Sequence, residues 1–232
     1  MIQILIYIPL FDFDLKLYCI PGLAFDHRIF SRLNLEELKP VYLDWIEPDK
    51  QESFHEYALR FSEQIDQGAD VVLIGHSMGG MLAQEIASII PVKQIILISS
   101  LRKRSENPIY FKLVYPLRLH LLAFRRAITL SLPIWGSFHD YVSRKEKELL
   151  EDMIMGYSRN YLQWALKQLS LWKAPELTGT TKIIRLHGDK DRTLPFRKIK
   201  STDYLIKDGG HFMVYRKSPE ISEIIHRELN MN

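Results

Sequence analysis

Val71-Val72-Leu73-Ile74-Gly75-His76-Ser77-Met78-Gly79-Gly80 is the stretch on which the fold turns. Its first four residues carry no polar side chain, as in a central parallel strand with both faces covered. Met78 to Ile90 is apolar nearly all round, which predicts a buried helix, and Pro91 stops it. Between strand and helix the chain has only a few residues in which to turn. A turn that tight has no room for side chains two residues either side of its centre, and glycines stand at 75 and 79. It lifts the Ser77 hydroxyl clear of the sheet. It also aims the N-terminus of the following helix at any anion formed there, with the Met78 N–H as a donor.

Working outward, Lys16 to Ile20 reads as a short buried strand stopped by Pro21-Gly22, and Val41 to Trp45 as another. Gln94–Ile98, Thr181–Leu186 and Thr202–Ile206 repeat the strand pattern. Phe54, Tyr57, Ala58, Phe61 and Ile65 recur at helical spacing over residues 52 to 67, with Gly68 placed as a C-terminal cap. Ser218-Pro219-Glu220 starts a last helix, with the cap expected at Ser218 and an apolar face of Ile221, Ile224, Ile225 and Leu229. Strands and helices alternate up to residue 100 and again after 181. That predicts an α/β fold with a doubly wound, mostly parallel sheet. Residues 101 to 178 read instead as helices without strands, through Leu149, Leu150, Met153 and Ile154 and through Tyr161, Leu162, Ala165 and Leu169. The expected division is a core of residues 1–100 and 179–232, with 101–178 inserted as a helical cap over the C-terminal edge of the sheet.

A serine hydroxyl is a poor nucleophile at neutral pH and needs a base, which in turn needs an orienting carboxylate. After a strand–turn–helix serine the expected chain order is serine, acid, histidine. Two later loops supply both partners at the same sheet edge: His187-Gly188-Asp189-Lys190-Asp191-Arg192-Thr193-Leu194-Pro195, and Gly209-Gly210-His211-Phe212. Such edges are where open α/β sheets bind ligands. Asp189 and Asp191 compete for the acid role. Asp208 lies too near His211 in sequence to orient it and is expected to shape its loop. His76 and His187, each next to a turn glycine, are expected to pack around the site. Cys19 reads as a small buried apolar residue.

These motifs resemble the α/β-hydrolase superfamily over roughly two thirds of the chain. The likeness implies that G-x-x-D-x-x-x-P, matched by Gly188, Asp191 and Pro195, carries the acid, and that G-H-[FY], matched by Gly210, His211 and Phe212, carries the base. It further implies that Pro21-Gly22-Leu23-Ala24 forms an oxyanion loop, with Leu23 N–H as the second donor beside Met78 N–H. There are departures. The family's eight-stranded sheet begins with an antiparallel hairpin, whereas the short stretch before Lys16 leaves room for one extra strand at most. An N-terminally truncated sheet is therefore expected. The oxyanion turn starts Ile20-Pro21 where histidine is commoner. At the alternative acid position, Ser99-Ser100-Leu101 offers no carboxylate before Glu106, which favours Asp191.

Composition narrows the function. The chain has 232 residues, 31 Lys/Arg against 28 Asp/Glu, and one cysteine. A net charge of +3 with no long basic tract gives no sign of nucleic-acid binding. One cysteine excludes a disulfide framework or a cysteine-rich zinc module. No H-E-x-x-H and no P-loop occurs, so neither a metal nor a cofactor is expected. Met1 to Phe11 is apolar but too short to span a bilayer, and no basic residue precedes Lys16. It reads as a strand or apolar arm, and the expected compartment is cytoplasmic. The charge is unevenly placed: residues 101–178 hold 13 basic and 7 acidic residues. Arg102-Lys103-Arg104 opens that region as a solvated surface or as steering for an anionic substrate. Tyr157, Tyr161, Trp164 and Trp172 either line a pocket or form that region's own core.

The function these features imply is a serine hydrolase, with Ser77, Asp191 and His211 cleaving a small carboxylic ester or thioester through an acyl-enzyme. Two alternatives share the motifs: a receptor-like ligand-binding protein with little turnover, and a carbon–carbon bond hydrolase. The partner expected is a small molecule, and the sequence leaves the oligomeric state open.

Overall fold

A computed structural model describes residues 15–229 except 50, 127, 129, 131–142, 178, 179 and 200. The apolar Met1–Phe11 run lies outside the described residues. The described residues form one sheet of six strands, all paired parallel, in the order β2-β1-β3-β4-β5-β6. The strands are β1 (Leu15–Ile20), β2 (Val41–Tyr42), β3 (Asp70–His76), β4 (Gln94–Ile98), β5 (Lys182–Gly188) and β6 (Tyr204–Ile206). The helices used below are α1 (Phe54–Ser62), α2 (Met78–Ala87), α3 (Ile109–Lys112), α4 (Arg144–Gly156), α5 (Arg159–Leu171), α6 (Met213–Arg216) and α7 (Ser218–Glu228). Between β4 and β5 the described residues contain helices and turns but no strand. No helix among them is long and apolar enough to cross a membrane.

Register sets the position of the site. Ile20 lies opposite Gly75, Gly75 opposite Leu97, Ile98 opposite Leu186, and Gly188 opposite Ile206. Five strands therefore end along one edge, and the loops that follow them begin there. Val71 to Ile74 and Ile95 to Ile98 are buried on both faces, which is why these runs need no polar alternation.

Helix α2 ends at Ala87, short of Ile90, and β5 runs Lys182–Gly188, not 181–186; four other boundaries differ from the sequence reading with a visible cause. The strand expected over 41–45 is two residues long, because it is an edge strand. Beyond the Leu43 N–H bond to Cys19 O, Trp45 turns inward to donate from Nε1 to Gly22 O (2.9 Å). The strand at 202–206 begins only at Tyr204, since the Thr202 hydroxyl donates to Arg185 O. Helix α1 stops at Ser62, whose Oγ donates back to Leu59 O. Gly68 lies beyond the end and does not cap it, and its N–H donates to Asp66 Oδ1. Helix α7 is entered from Lys217, so Ser218 is its first residue and not its cap.

The four aromatics on and after α4 and α5 fill neither of the two expected roles. They fasten the helical segment to the sheet core. Tyr157 Oη donates to Phe25 O, Ala24 N–H donates to Tyr161 Oη, Trp164 Nε1 donates to Glu52 O and Trp172 Nε1 donates to Glu85 Oε1. A second tie is ionic. Arg185 on β5 and Glu106 are both buried, with Nη1 and Nη2 at 3.1 and 3.2 Å from Oε1. Arg102 N–H satisfies the other carboxylate oxygen.

Candidate active site

Ser77 sits at φ 51°, ψ −119°, a conformation that costs a non-glycine residue about 1–3 kcal/mol. The surroundings hold it there. Ser77 N–H donates to Ile98 O (2.9 Å), while its carbonyl accepts from Gly80 N–H (3.0 Å) and Ser100 Oγ (2.6 Å). The flanking glycines are required by contact. A Cβ on Gly75 would lie 2.3 Å from Gly80 Cα, and one on Gly79 would lie 2.2 Å from Ile20 O. Ser100 is the residue that sequence reasoning missed. The sequence marks the position only by its lack of a carboxylate, and its local signal is merely a hydroxyl two residues past a strand.

The acid and base loops meet because Gly188 and Gly209 touch: a Cβ on Gly188 would lie 2.0 Å from Gly209 O. Lys190 N–H donates to that same carbonyl (2.9 Å). This contact brings together the three side chains expected from the sequence. Ser77 Oγ lies 2.9 Å from His211 Nε2, and His211 Nδ1 lies 2.9 Å from Asp191 Oδ2. The other oxygen of Asp191 accepts Leu194 N–H (2.8 Å). Asp189 makes no contact with His211 among the described bonds. Asp208 is exposed, at φ 54° in the turn before Gly209, where aspartate tolerates the left-handed region.

His76 and His187 flank this row. His76 is buried, and its Nε2 donates to the carbonyl of His211 (3.0 Å), which pins the base loop against the strand that carries Ser77. His187 donates from Nε2 to Leu194 O (2.8 Å), behind Asp191. Burial lowers both His187 and His211, the latter to about 3. The His211 ring is therefore neutral at neutral pH, with Nδ1–H held by Asp191 and the Nε2 lone pair facing Ser77. Burial pushes the Cys19 thiol far up, so it stays protonated.

Met78 is the first residue of α2, and Leu23 belongs to the turn after β1. A Cβ on Gly22 would come within 3.1 Å of Ser77 Cβ, so this turn rests directly on the serine. Among the described residues, neither Met78 N–H nor Leu23 N–H has a protein acceptor. Met78 N–H stands next to Ser77 at a helix N-terminus, and Leu23 lines the same cavity as Ser77.

Above Ser77 and His211 lies a cavity of about 140 Å³. Leu23, Phe25, Phe111, Leu150, Ile154 and Leu166 are among its apolar walls, and Thr193 adds a hydroxyl. Arg102, Lys103 and Arg104 do not line it. Arg104 Nη1 instead donates to Leu171 O (2.7 Å). Among the described residues, no group of His, Cys, Asp and Glu could hold a metal ion.

The sequence model of the alpha/beta hydrolase family matches residues 17–221. No curated protein matches the chain by sequence. Solved structures share the fold at low identity. A thermophilic esterase from Thermogutta terrifontis superposes with a TM-score of 0.70 at 17% identity, covering 94% of this chain and 90% of that one. MenH from S. aureus gives 0.72 at 18%, covering 94% of each chain. An esterase from Exiguobacterium antarcticum gives 0.73 at 15%, covering 94% and 93%.

Proposed function

We propose, for a chain that belongs to the alpha/beta hydrolase family, that it is a serine hydrolase cleaving carboxylic esters or thioesters with a compact, uncharged acyl group. The observation that carries this reading is His211 held between Ser77 and Asp191 at 2.9 Å from each, on the floor of an apolar cavity. Ser77 Oγ attacks the acyl carbon as its proton passes to His211 Nε2, and the carbonyl electron pair moves onto oxygen. Met78 and Leu23 N–H groups hold that oxyanion, and Asp191 stabilises the imidazolium. Collapse expels the alcohol or thiol, which leaves with the proton from His211. Water then attacks the acyl-enzyme, with His211 again taking a proton, and the acid departs from a regenerated Ser77.

The cavity bounds the acyl group. Its 140 Å³ is close to the ~150 Å³ of a dry cavity that takes benzene, so an acyl chain of about six carbons fills it. Among the described residues no charged side chain lines it except the triad histidine when protonated, so a carboxylate on the acyl tail would meet no cationic partner among them. Residues 1–100 and 179–232 form the catalytic core on this reading, and residues 101–178 the helical cap, which contributes Phe111, Leu150, Ile154 and Leu166 to the cavity.

Two measurements test it. A fluorophosphonate probe should label the wild type and fail on Ser77→Ala. On nitrophenyl esters of graded length, kcat/KM should peak near six acyl carbons and be at least ~10-fold lower for a dicarboxylic half-ester of equal length. Equal labelling of both proteins removes the nucleophile assignment. A flat chain-length profile, or a preference for the half-ester, removes the acyl assignment alone.

A further inference from the structure

The segment Ile109 to Leu130 inverts the usual surface pattern. One face of it is anchored on α5: Phe111, His120 and Ala123 are buried, Ser170 Oγ donates to Lys112 O, and Gln163 Nε2 donates to Leu121 O. The opposite face is exposed and should be polar in a surface element. It is instead apolar. Of the sixteen exposed large hydrophobic residues among those described, ten fall in these 22 positions, so the rest of the surface is sparse by comparison. Ile109, Leu117 and Leu122 are 65, 59 and 63% exposed.

Charge says what such a face meets. From Asn107 to His139 the chain has no Asp or Glu, yet it carries Lys112, Arg118, Arg125 and Arg126. Arg118 and Arg125 are exposed among the leucines, Arg125 with its Nε donating to Tyr157 O and its two terminal nitrogens outward. An apolar face alone would suit a second copy or any apolar partner. Apolar side chains mixed with cations alone suit an interface that is apolar below and anionic at its rim, which is the boundary of an anionic bilayer. The same segment supplies Phe111 and Ile128 to the cavity wall over Ser77, so its outer face lies close to the route by which an apolar substrate would enter.

We infer that residues 109–126 form a docking face for an anionic phospholipid bilayer, holding the Ser77 cavity next to the membrane surface. Leu117, Leu122 and Ile109 insert among the acyl chains, and Arg118, with the outer nitrogens of Arg125, meets the phosphates and acidic headgroups. Docking of this kind is reversible and adds no membrane-spanning element.

The test is co-sedimentation of the full chain with vesicles of phosphatidylcholine alone or with roughly 30% phosphatidylserine added. Half-saturating lipid should be at least ~10-fold lower for the anionic vesicles, and should rise about 10-fold between low and physiological salt. Leu117→Gln/Leu122→Gln should weaken binding about 100-fold, roughly tenfold per leucine withdrawn from lipid, and Arg118→Gln about 5-fold. Thermal melting should show all variants as folded as the wild type. Binding is read without turnover, so it stands or falls apart from the hydrolase reading. Failure to sediment with anionic vesicles, or unchanged binding by the double leucine variant, overturns the inference. So does a concentration-dependent dimer that Leu117→Gln/Leu122→Gln dissociates, which would assign the face to a second copy.

Discussion

Asp191→Asn is the sharpest perturbation of the site, because the structure dictates which way the new amide must point. Asp191 Oδ1 accepts Leu194 N–H and Oδ2 accepts His211 Nδ1–H. An asparagine has only one oxygen. Leu194 N–H is buried with no other acceptor among the described bonds, so the amide oxygen must stay there. That turns the NH2 toward His211, which can meet it only by presenting Nδ1 as a lone pair. The imidazole proton then sits on Nε2 and faces the Ser77 hydroxyl, so the ring cannot accept the serine proton. A wrong tautomer in a serine–histidine–aspartate site lowers kcat about 10⁴-fold, the size seen in the serine proteases. KM should change little, since the cavity walls are untouched, and the melting temperature should hold because both hydrogen bonds survive. The assay is hexanoyl nitrophenyl ester hydrolysis, with Asp189→Asn in parallel. Asp189 does not contact the ring, so its variant should stay within about 10-fold of wild type. A kcat for Asp191→Asn within 10-fold of wild type, or a larger loss in Asp189→Asn, would falsify the assignment of the acid.

Three further outcomes follow from the same geometry. Ser77→Gly should abolish ester turnover yet raise stability by ~1 kcal/mol in urea titration relative to Ser77→Ala, because glycine takes a positive φ without strain and the gain exceeds its extra chain entropy; a less stable glycine variant would show that the backbone there is relaxed. Breaking the buried ion pair with Arg185→Met should cost about 3–5 kcal/mol by leaving Glu106 charged and buried, and adding Glu106→Gln should recover part of that loss while still accepting Arg102 N–H; additive costs would mean that the pair is not coupled. The pH dependence has a definite sign, because burial holds His211 and His187 neutral in the folded chain while both take protons near ~6.5 when unfolded. Stability is therefore complete above that value and declines as pH falls from there toward His211's folded value of about 3. Urea midpoints that rise from neutrality to mild acid contradict this.

How much of this was legible in the sequence depends on the distance over which each constraint acts. The serine turn was readable because its constraint is local: Gly75, Gly79 and Gly80 are small since backbone and neighbouring atoms lie where their Cβ atoms would go. The chain order of the two later loops was readable for a related reason, since each follows a strand ending on the same edge. Ser100 was not readable. Its bond to Ser77 O depends on β3 and β4 lying in one particular register, and a hydroxyl carries no mark of that. Arg185 was not readable for the same reason: Lys182 is a cation on the same strand, and only Glu106, 79 residues away, makes Arg185 a core residue. Tyr157, Trp164 and Trp172 were ambiguous because helical periodicity reports that a face is buried but not what covers it. Their polar atoms were the better guide, since a buried indole N–H or phenol O–H needs an acceptor, and the acceptors are Phe25, Glu52 and Glu85 of the sheet core. The segment at 109–130 is the converse case. Its hydropathy does not mark which residues are covered, and only the structure shows its leucines facing outward.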